Sequence, residues 1–158
     1  MSALASWFNV NGYDVASYDK TSSVLTNELE EEGIEIHYDD SLELIPEEYK
    51  STNGTLVVYT PAIPADHKEW NWMKSAGFSI MKRAQVLGLL TENMFTVAVA
   101  GTHGKTTTSS MVAHVLKHSG LNTAAFLGGI TQNYGSNLLL NDPNQPNPVV
   151  VVEADEYD

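Results

Sequence analysis

The chain of 158 residues contains no cysteine and few basic residues. Without cysteine it can form neither disulfide bonds nor thiolate metal sites, and it has no thiol nucleophile. Eight Lys and Arg residues stand against 20 Asp and Glu, a formal net charge of −12. Because a broad nucleic-acid surface needs a basic face, this balance argues against nucleic acid as a partner. An anionic ligand would have to be bound by local groups.

Long apolar segments and a dinucleotide fingerprint are also missing. No apolar run approaches the roughly 20 residues of a membrane span, and Met1 is not followed by a basic and then apolar signal segment. Hydrophobic residues make up 42% and charged residues 18% of the chain, as in a globular protein. We therefore expect a cytoplasmic protein without membrane insertion. The lack of Gly-x-Gly-x-x-Gly disfavours a dinucleotide-dependent oxidoreductase.

One stretch organises the rest of the sequence: an apolar β-prone run that breaks into glycines, Lys105 and three threonines. It predicts a strand, a phosphate-binding loop and the start of a helix, whose free N–H groups and positive dipole end would bind a polyphosphate. Lys105 would reach the outer phosphates, and the Thr106 hydroxyl would hold Mg²⁺. The alternative is a plain strand-to-helix turn, since Val99 stands where the general phosphate-loop pattern has a glycine.

Strand-like and helical segments alternate along the chain, which predicts an α/β fold with parallel sheets. The valine run 149–152 predicts a buried strand that ends in Glu153 and Asp155. In an open parallel sheet these acidic residues would share an edge with the phosphate loop. Glu153 or Asp155 could then bind Mg²⁺, directly or through water; the alternative is a solvated acidic turn.

Local patterns also predict helix ends and a helix face. Thr21 or Ser22 is expected to cap the second helix and Asp66 the helix that ends at Gly77. Met111 and Val115 are expected to lead the core-facing stripe of the helix that follows the phosphate loop, with Val112 and Leu116 placed there more loosely. His114 and His118 have metal-compatible spacing, but exposed helix histidines are the favoured interpretation.

Three segments then become specific in combination: Ala100-Gly-Thr-His-Gly-Lys-Thr-Thr-Thr108, Gly128-Gly-Ile130 and Glu153-Ala-Asp-Glu156. In this order and spacing they resemble the Mur ligase family, whose phosphate loop has the same short form. The resemblance implies a Rossmann-like, UDP-sugar-binding domain over residues 1–90. It implies the start of an ATP-binding phosphate-loop domain over residues 91–158.

The resemblance also implies an activity, the ATP-dependent joining of L-alanine to UDP-N-acetylmuramate through an acyl phosphate, with ATP and Mg²⁺ required. The implied catalytic residues are Lys105, Glu153 and His103, and the implied metal ligands are Thr106 and Glu153. The expected phosphate-binding residues are Gly101, Thr102, His103, Gly104, Lys105, Thr106 and Thr107. The expected nucleotide-sugar contacts are Asp19, Ala62, Gly128, Gly129 and Asn137; the alternatives are a tight turn for the double glycine and a loop cap for Asn137. For His103 a simple turn-filling role remains the alternative.

The chain also departs from the family pattern. The family's first strand and glycine-rich turn would precede Met1, and its adenine-binding residues and third domain would follow Asp158. We therefore expect a piece of a longer ligase that does not ligate on its own, with the oligomeric state undetermined. Two alternatives stay open: a ligase that reattaches a murein peptide to UDP-N-acetylmuramate, and a nucleotide-binding module without catalysis.

Overall fold

A computed structural model describes residues 1–154 of the chain. The chain divides into two compact units, Met1–Val86 and Leu87–Asp158. Both alternate helices with short strands, and the predicted α/β class is confirmed. No helix in the described part is long and apolar enough to cross a membrane.

The first unit contains two pairs of parallel strands. Its elements are α1 (Ser2–Val10), β1 (Ala16–Tyr18), α2 (Val24–Glu31), β2 (Glu35–His37), β3 (Leu56–Tyr59), α3 (Lys68–Ala76) and β4 (Ser79–Lys82), with two short 3₁₀ turns at Leu42–Leu44 and Glu47–Lys50. Strand β1 pairs with β2, and β3 pairs with β4, both in parallel. A helix lies between the two strands of each pair in sequence, as parallel connections require. Helix α4 (Arg83–Thr91) follows β4.

The predicted helix caps of the first unit are wrong in both places. Ser23, and not Thr21 or Ser22, caps α2: its Oγ accepts the Thr26 N–H at 3.2 Å while Thr26 Oγ1 accepts the Ser23 N–H at 2.8 Å, a reciprocal capping box. At α3 the cap position is His67 and not Asp66. The carboxylate of Asp40 accepts the first N–H groups of that helix. Local sequence patterns cannot reveal this contact, because Asp40 is distant in sequence.

The second unit is a single sheet with one helix packed on it. Its elements are β5 (Phe95–Val99), α5 (Lys105–His118), β6 (Thr123–Phe126), β7 (Leu138–Leu139) and β8 (Val149–Glu153). The strand order is β5-β8-β6-β7; β8 pairs in parallel with β5 and β6, and the two-residue β7 is antiparallel to β6. Because β8 lies between two parallel strands, its valine run is buried, as predicted.

Helix α5 packs on this sheet through a different face from the one predicted. Met111 and Val115 are each 64% exposed, so their expected place in the core is wrong. Ala113 is fully buried in the cluster with Val151, and Val112 and Leu116 pack against that cluster. The buried stripe begins at Ser109, whose polar side chain hid it from the apolar pattern.

Candidate active site

The loop between β5 and α5 is shaped by two glycines. Gly101 has φ 144° and Gly104 has φ 75°, both in the region that residues with a Cβ rarely adopt. Gly104 is the N-cap residue of α5, and no side chain caps that helix end. A helix start without a side-chain cap can bind an anion through its first-turn N–H groups.

Lys105 opens α5, and its ammonium folds over the loop that precedes it. Its Nζ donates a hydrogen bond to the Gly101 carbonyl at 2.8 Å. The side chain is half-buried. The positive charge thus lies against the loop between β5 and α5, where it could bind a phosphate group held by that loop. Thr102, His103 and Thr107 are exposed on the loop and on the first turn of the helix.

Glu153 ends the central strand of the sheet, beside the loop. In the register of the two strands it lies opposite Val99, the last residue of β5. Its Oε2 accepts the Thr106 hydroxyl at 3.0 Å. Its Oε1 accepts the Ser109 hydroxyl at 2.9 Å and the Gly128 N–H at 2.7 Å. Three donors, two on α5 and one in the loop after β6, therefore hold both oxygens of this carboxylate.

The double glycine after β6 lies against the same carboxylate. A Cβ on Gly128 would stand 2.6 Å from Glu153 Oε2 and 3.2 Å from Thr106 Oγ1, so a side chain at this position would force the Glu153 carboxylate to move. A Cβ on Gly129 would meet Thr106 Cγ2 at 3.5 Å, an ordinary contact. The structure therefore places both glycines beside the Thr106–Glu153 pair, and their predicted contact with the sugar substrate stays a prediction.

The other residues predicted to contact the nucleotide sugar make no described contact with Thr106 or Glu153. Asn137 is 8% exposed, and its carbonyl accepts the Leu127 N–H at 2.9 Å, which holds the loop after β6 to the start of β7. Asp19 and Ala62 are exposed just beyond β1 and β3, in different strand pairs of the first unit. Asp155, the alternative metal ligand, lies outside the described residues.

A polar network at the start of α3 escaped the sequence analysis. Asp40 accepts the Lys68 and Glu69 N–H groups at 2.8 and 3.0 Å and contacts His67 Nδ1 at 3.0 Å. Glu69 is 3% exposed and contacts His37 Nε2 at 2.8 Å. Desolvation opposes it, but the two backbone hydrogen bonds, with His67 and Lys68, lower the pKa of Asp40. No sequence spacing indicates this network, because Asp40 and the N–H groups that it binds are 28 and 29 residues apart.

The donor set beside the loop suits one kind of cation. A hydroxyl and a carboxylate are hard oxygen ligands, which Mg²⁺ prefers. The described residues contain no group of three or more His, Asp or Glu that could hold a metal ion. A cation at Thr106 and Glu153 would therefore need further oxygen ligands, and Mg²⁺ commonly takes these from a nucleotide's phosphates and from water. The residues fit a magnesium–nucleotide complex.

Parallel strands with a glycine loop and a carboxylate at adjacent strand ends are an arrangement typical of nucleotide-binding α/β proteins. The Mur ligase family, catalytic domain, matches residues 1–94, and the Mur ligase middle domain matches residues 99–157. The chain belongs to the Mur ligase family, as the resemblance in its motifs predicted.

Relatives narrow the comparison further. The UDP-N-acetylmuramate–L-alanine ligase of Cytophaga hutchinsonii is 55% identical over all 158 residues of the chain, which spans 34% of that protein. Two solved structures cover nearly all of the chain. The first is the UDP-N-acetylmuramate:L-alanyl-gamma-D-glutamyl-meso-diaminopimelate ligase from Neisseria meningitides. The match covers 100% of our chain and 50% of the Neisseria protein, with TM-score 0.87 and 30% identity. The second is the UDP-N-acetylmuramate-alanine ligase from Thermotoga maritima. The match covers 97% of our chain and 34% of the Thermotoga protein, with TM-score 0.81 and 33% identity.

Proposed function

We propose that this chain belongs to an ATP-dependent ligase that joins L-alanine to UDP-N-acetylmuramate in peptidoglycan synthesis, a reaction placed in the cytoplasm, where ATP is available. Residues 1–90 would bind the UDP-sugar and residues 91–158 would begin the ATP-binding domain. The observation that carries the proposal is the Thr106–Glu153 hydrogen bond of 3.0 Å beside the uncapped start of α5. The relatives named as L-alanine ligases support the choice of substrates.

The phosphate loop would hold ATP in this reaction. The N–H groups of residues 101–107 would bind its phosphates, and the Lys105 ammonium would neutralise the charge that develops on the transferred group. His103, exposed in the loop, would orient a phosphate or the substrate. ATP would transfer its γ-phosphoryl group to the substrate carboxylate with release of ADP, and the amine of L-alanine would then displace phosphate from the acyl phosphate to form the amide.

The acidic strand end would hold the cation. Thr106 donates its only proton to Glu153 Oε2, which leaves the hydroxyl's lone pairs for Mg²⁺. Glu153 would bind the same ion directly or through water. Gly128, Gly129 and Asn137 would face the muramoyl end of the substrate, and Asp19 and Ala62 the uridine nucleotide.

A substrate screen of the full-length protein tests this function. UDP-N-acetylmuramate would be paired in turn with L-alanine, glycine, L-serine and a murein tripeptide, and phosphate release would be measured with Mg²⁺ and ATP. We expect release with L-alanine to exceed the others. If neither any of the amino acids nor the tripeptide supports phosphate release, the proposal is overturned. Residues 1–158 alone, about a third of the length of the relatives, are expected to release none.

A murein peptide ligase is the second candidate, because the Neisseria structure is a ligase of that type. It shares UDP-N-acetylmuramate and the ATP chemistry, and differs in the amine that attacks. Phosphate release with the tripeptide and not with L-alanine would select it.

A further inference from the structure

Ser109 is a polar residue on the core-facing stripe of α5, and its side chain is fully buried. It lies one turn before Ala113, which is also fully buried. Alanine occupies nearly the same volume as serine, so packing against the sheet does not require the hydroxyl. A buried hydroxyl must instead be accounted for by its hydrogen bonds.

The Ser109 hydroxyl has one proton and three acceptors within reach. Its Oγ lies 2.9 Å from the Lys105 carbonyl, 3.1 Å from the Thr106 carbonyl and 2.9 Å from Glu153 Oε1. The carbonyls and an ionised carboxylate can only accept. Because a charged acceptor forms the stronger bond, the proton goes to Glu153. The two carbonyls could accept it if the carboxylate were removed.

Gly128 donates to the same oxygen as Ser109. Its N–H donates to Glu153 Oε1 at 2.7 Å, and its missing Cβ leaves the space that Oε2 occupies. With Oε1 bound by these two donors, Oε2 is the oxygen turned toward Thr106. Two of the three donors that orient the carboxylate, Ser109 and Gly128, are thus not themselves ligands of the proposed cation.

We propose that Ser109, together with the Gly128 N–H, is a positioning residue that orients Glu153 for Mg²⁺. The inference rests on the proposed function, since it assumes that Thr106 and Glu153 hold the cation of a nucleotide complex. Hydrogen-bonded partners outside the ligand set commonly change metal affinity about 10- to 100-fold when they are removed. Ser109→Ala is therefore expected to weaken Mg²⁺ binding without displacing the helix.

The matched control is the neighbouring serine. Ser110 Oγ donates to the Thr106 carbonyl at 2.6 Å and makes no described contact with Glu153. The two alanine variants of the full-length protein would be compared with wild type by electron paramagnetic resonance of bound Mn²⁺ in the presence of a non-hydrolysable ATP analogue. We expect about tenfold weaker Mn²⁺ binding for Ser109→Ala and wild-type binding for Ser110→Ala. Ser109→Thr, which keeps the hydroxyl, should restore most of the affinity.

Gly128→Ala gives an independent test should Ser109→Ala fail to fold. The atom that its Cβ would meet is the movable end of Glu153, so the chain can fold while the carboxylate shifts. We expect weaker Mn²⁺ binding here too, with a wild-type melting temperature in chelator. Equal Mn²⁺ affinity in Ser109→Ala and Ser110→Ala would overturn the inference, as would wild-type affinity in a folded Gly128→Ala. If wild type binds no Mn²⁺ with the analogue, the proposed function itself fails.

Discussion

The strand ends of the two units carry polar groups that are used in different ways. In the second unit, Glu153 is held by donors from α5 and the double glycine, and the end of α5 beside it has no capping side chain. In the first unit, Asp40 is bound to the first N–H groups of α3. The helix start that could bind an anion is thus free of a side-chain cap in one unit and occupied by a carboxylate in the other.

In the second unit the polar groups are oriented for a ligand, whereas in the first unit they stabilise the fold. A site whose charged groups are already oriented gives the most catalytic benefit, because it needs no rearrangement when charge develops. A capped helix start contributes to the stability of its own unit. Substitutions in the second unit should therefore change activity with little effect on stability, and those around Asp40 should do the reverse.

The largest effect is expected from Lys105→Ala in the full-length protein. Loss of the ammonium should reduce turnover by at least about 10²- to 10³-fold, as does the loss of other groups that stabilise developing charge. The melting temperature should stay near wild type, because the half-buried Lys105 side chain is not part of the hydrophobic core cluster of this unit. Phosphate release and thermal denaturation would be measured together. Lys117→Ala, at the other end of α5, is the control. Near-normal turnover in Lys105→Ala would remove the loop from the mechanism.

Glu153→Ala should follow in size. Removing a direct or water-mediated ligand should raise the Mg²⁺ concentration for half-maximal activity by more than about tenfold. Removal of a partner outside the ligand set already weakens metal binding by about that factor, and loss of a ligand should weaken it more. Ser109 would keep the Lys105 and Thr106 carbonyls as acceptors, so the fold should tolerate the change. A Mg²⁺ titration of phosphate release measures this, with the exposed Glu92→Ala as control. An unchanged titration would contradict the role of Glu153.

The sequence predicted that the loop after β5 and the acidic end of β8 share one edge of the sheet, because parallel strands place their carboxyl ends together. The structure shows this edge and adds that β5 and β8 are direct neighbours, with Val99 opposite Glu153. Ser109 was missed because it is polar on an apolar stripe, although its spacing of three from Thr106 puts the two on one helix face. Met111 and Val115 were misplaced because the buried stripe contains Ser109 and Ala113, which a search for large apolar residues passes over.

The first unit was less predictable because its polar contacts are distant in sequence. The Asp40 carboxylate and the N–H groups that it binds are 28 and 29 residues apart. Local patterns favoured Asp66, the acidic residue nearest to the helix. Only the folded chain brings Asp40 to that position, so neither the cap nor the two histidine–carboxylate contacts could be read from spacing.

Asp40→Ala should therefore destabilise the first unit and leave the magnesium requirement unchanged. Loss of a helix cap costs about 1 kcal/mol. The pKa of Asp40 is lowered on folding from 3.8, so its contribution is fully present above that pH and is lost as the pH falls below it. The difference in melting temperature between wild type and variant should shrink in the same range. Asp66→Ala is the matched control; equal destabilisation by both variants would mean that Asp40 is not the cap.

Asp19→Ala should have the smallest effect and sharpens the comparison most. Asp19 is exposed, and its side chain makes a 3.4 Å contact with the Thr21 N–H, so the melting temperature should not change. If it contacts the uridine nucleotide, the KM for UDP-N-acetylmuramate should rise a few-fold, since an exposed hydrogen bond contributes about 1 kcal/mol. The Mg²⁺ requirement should stay at the wild-type value, because Asp19 belongs to the other unit from Glu153. A changed Mg²⁺ requirement would show that the two regions are coupled, and an unchanged KM would remove Asp19 from the substrate site.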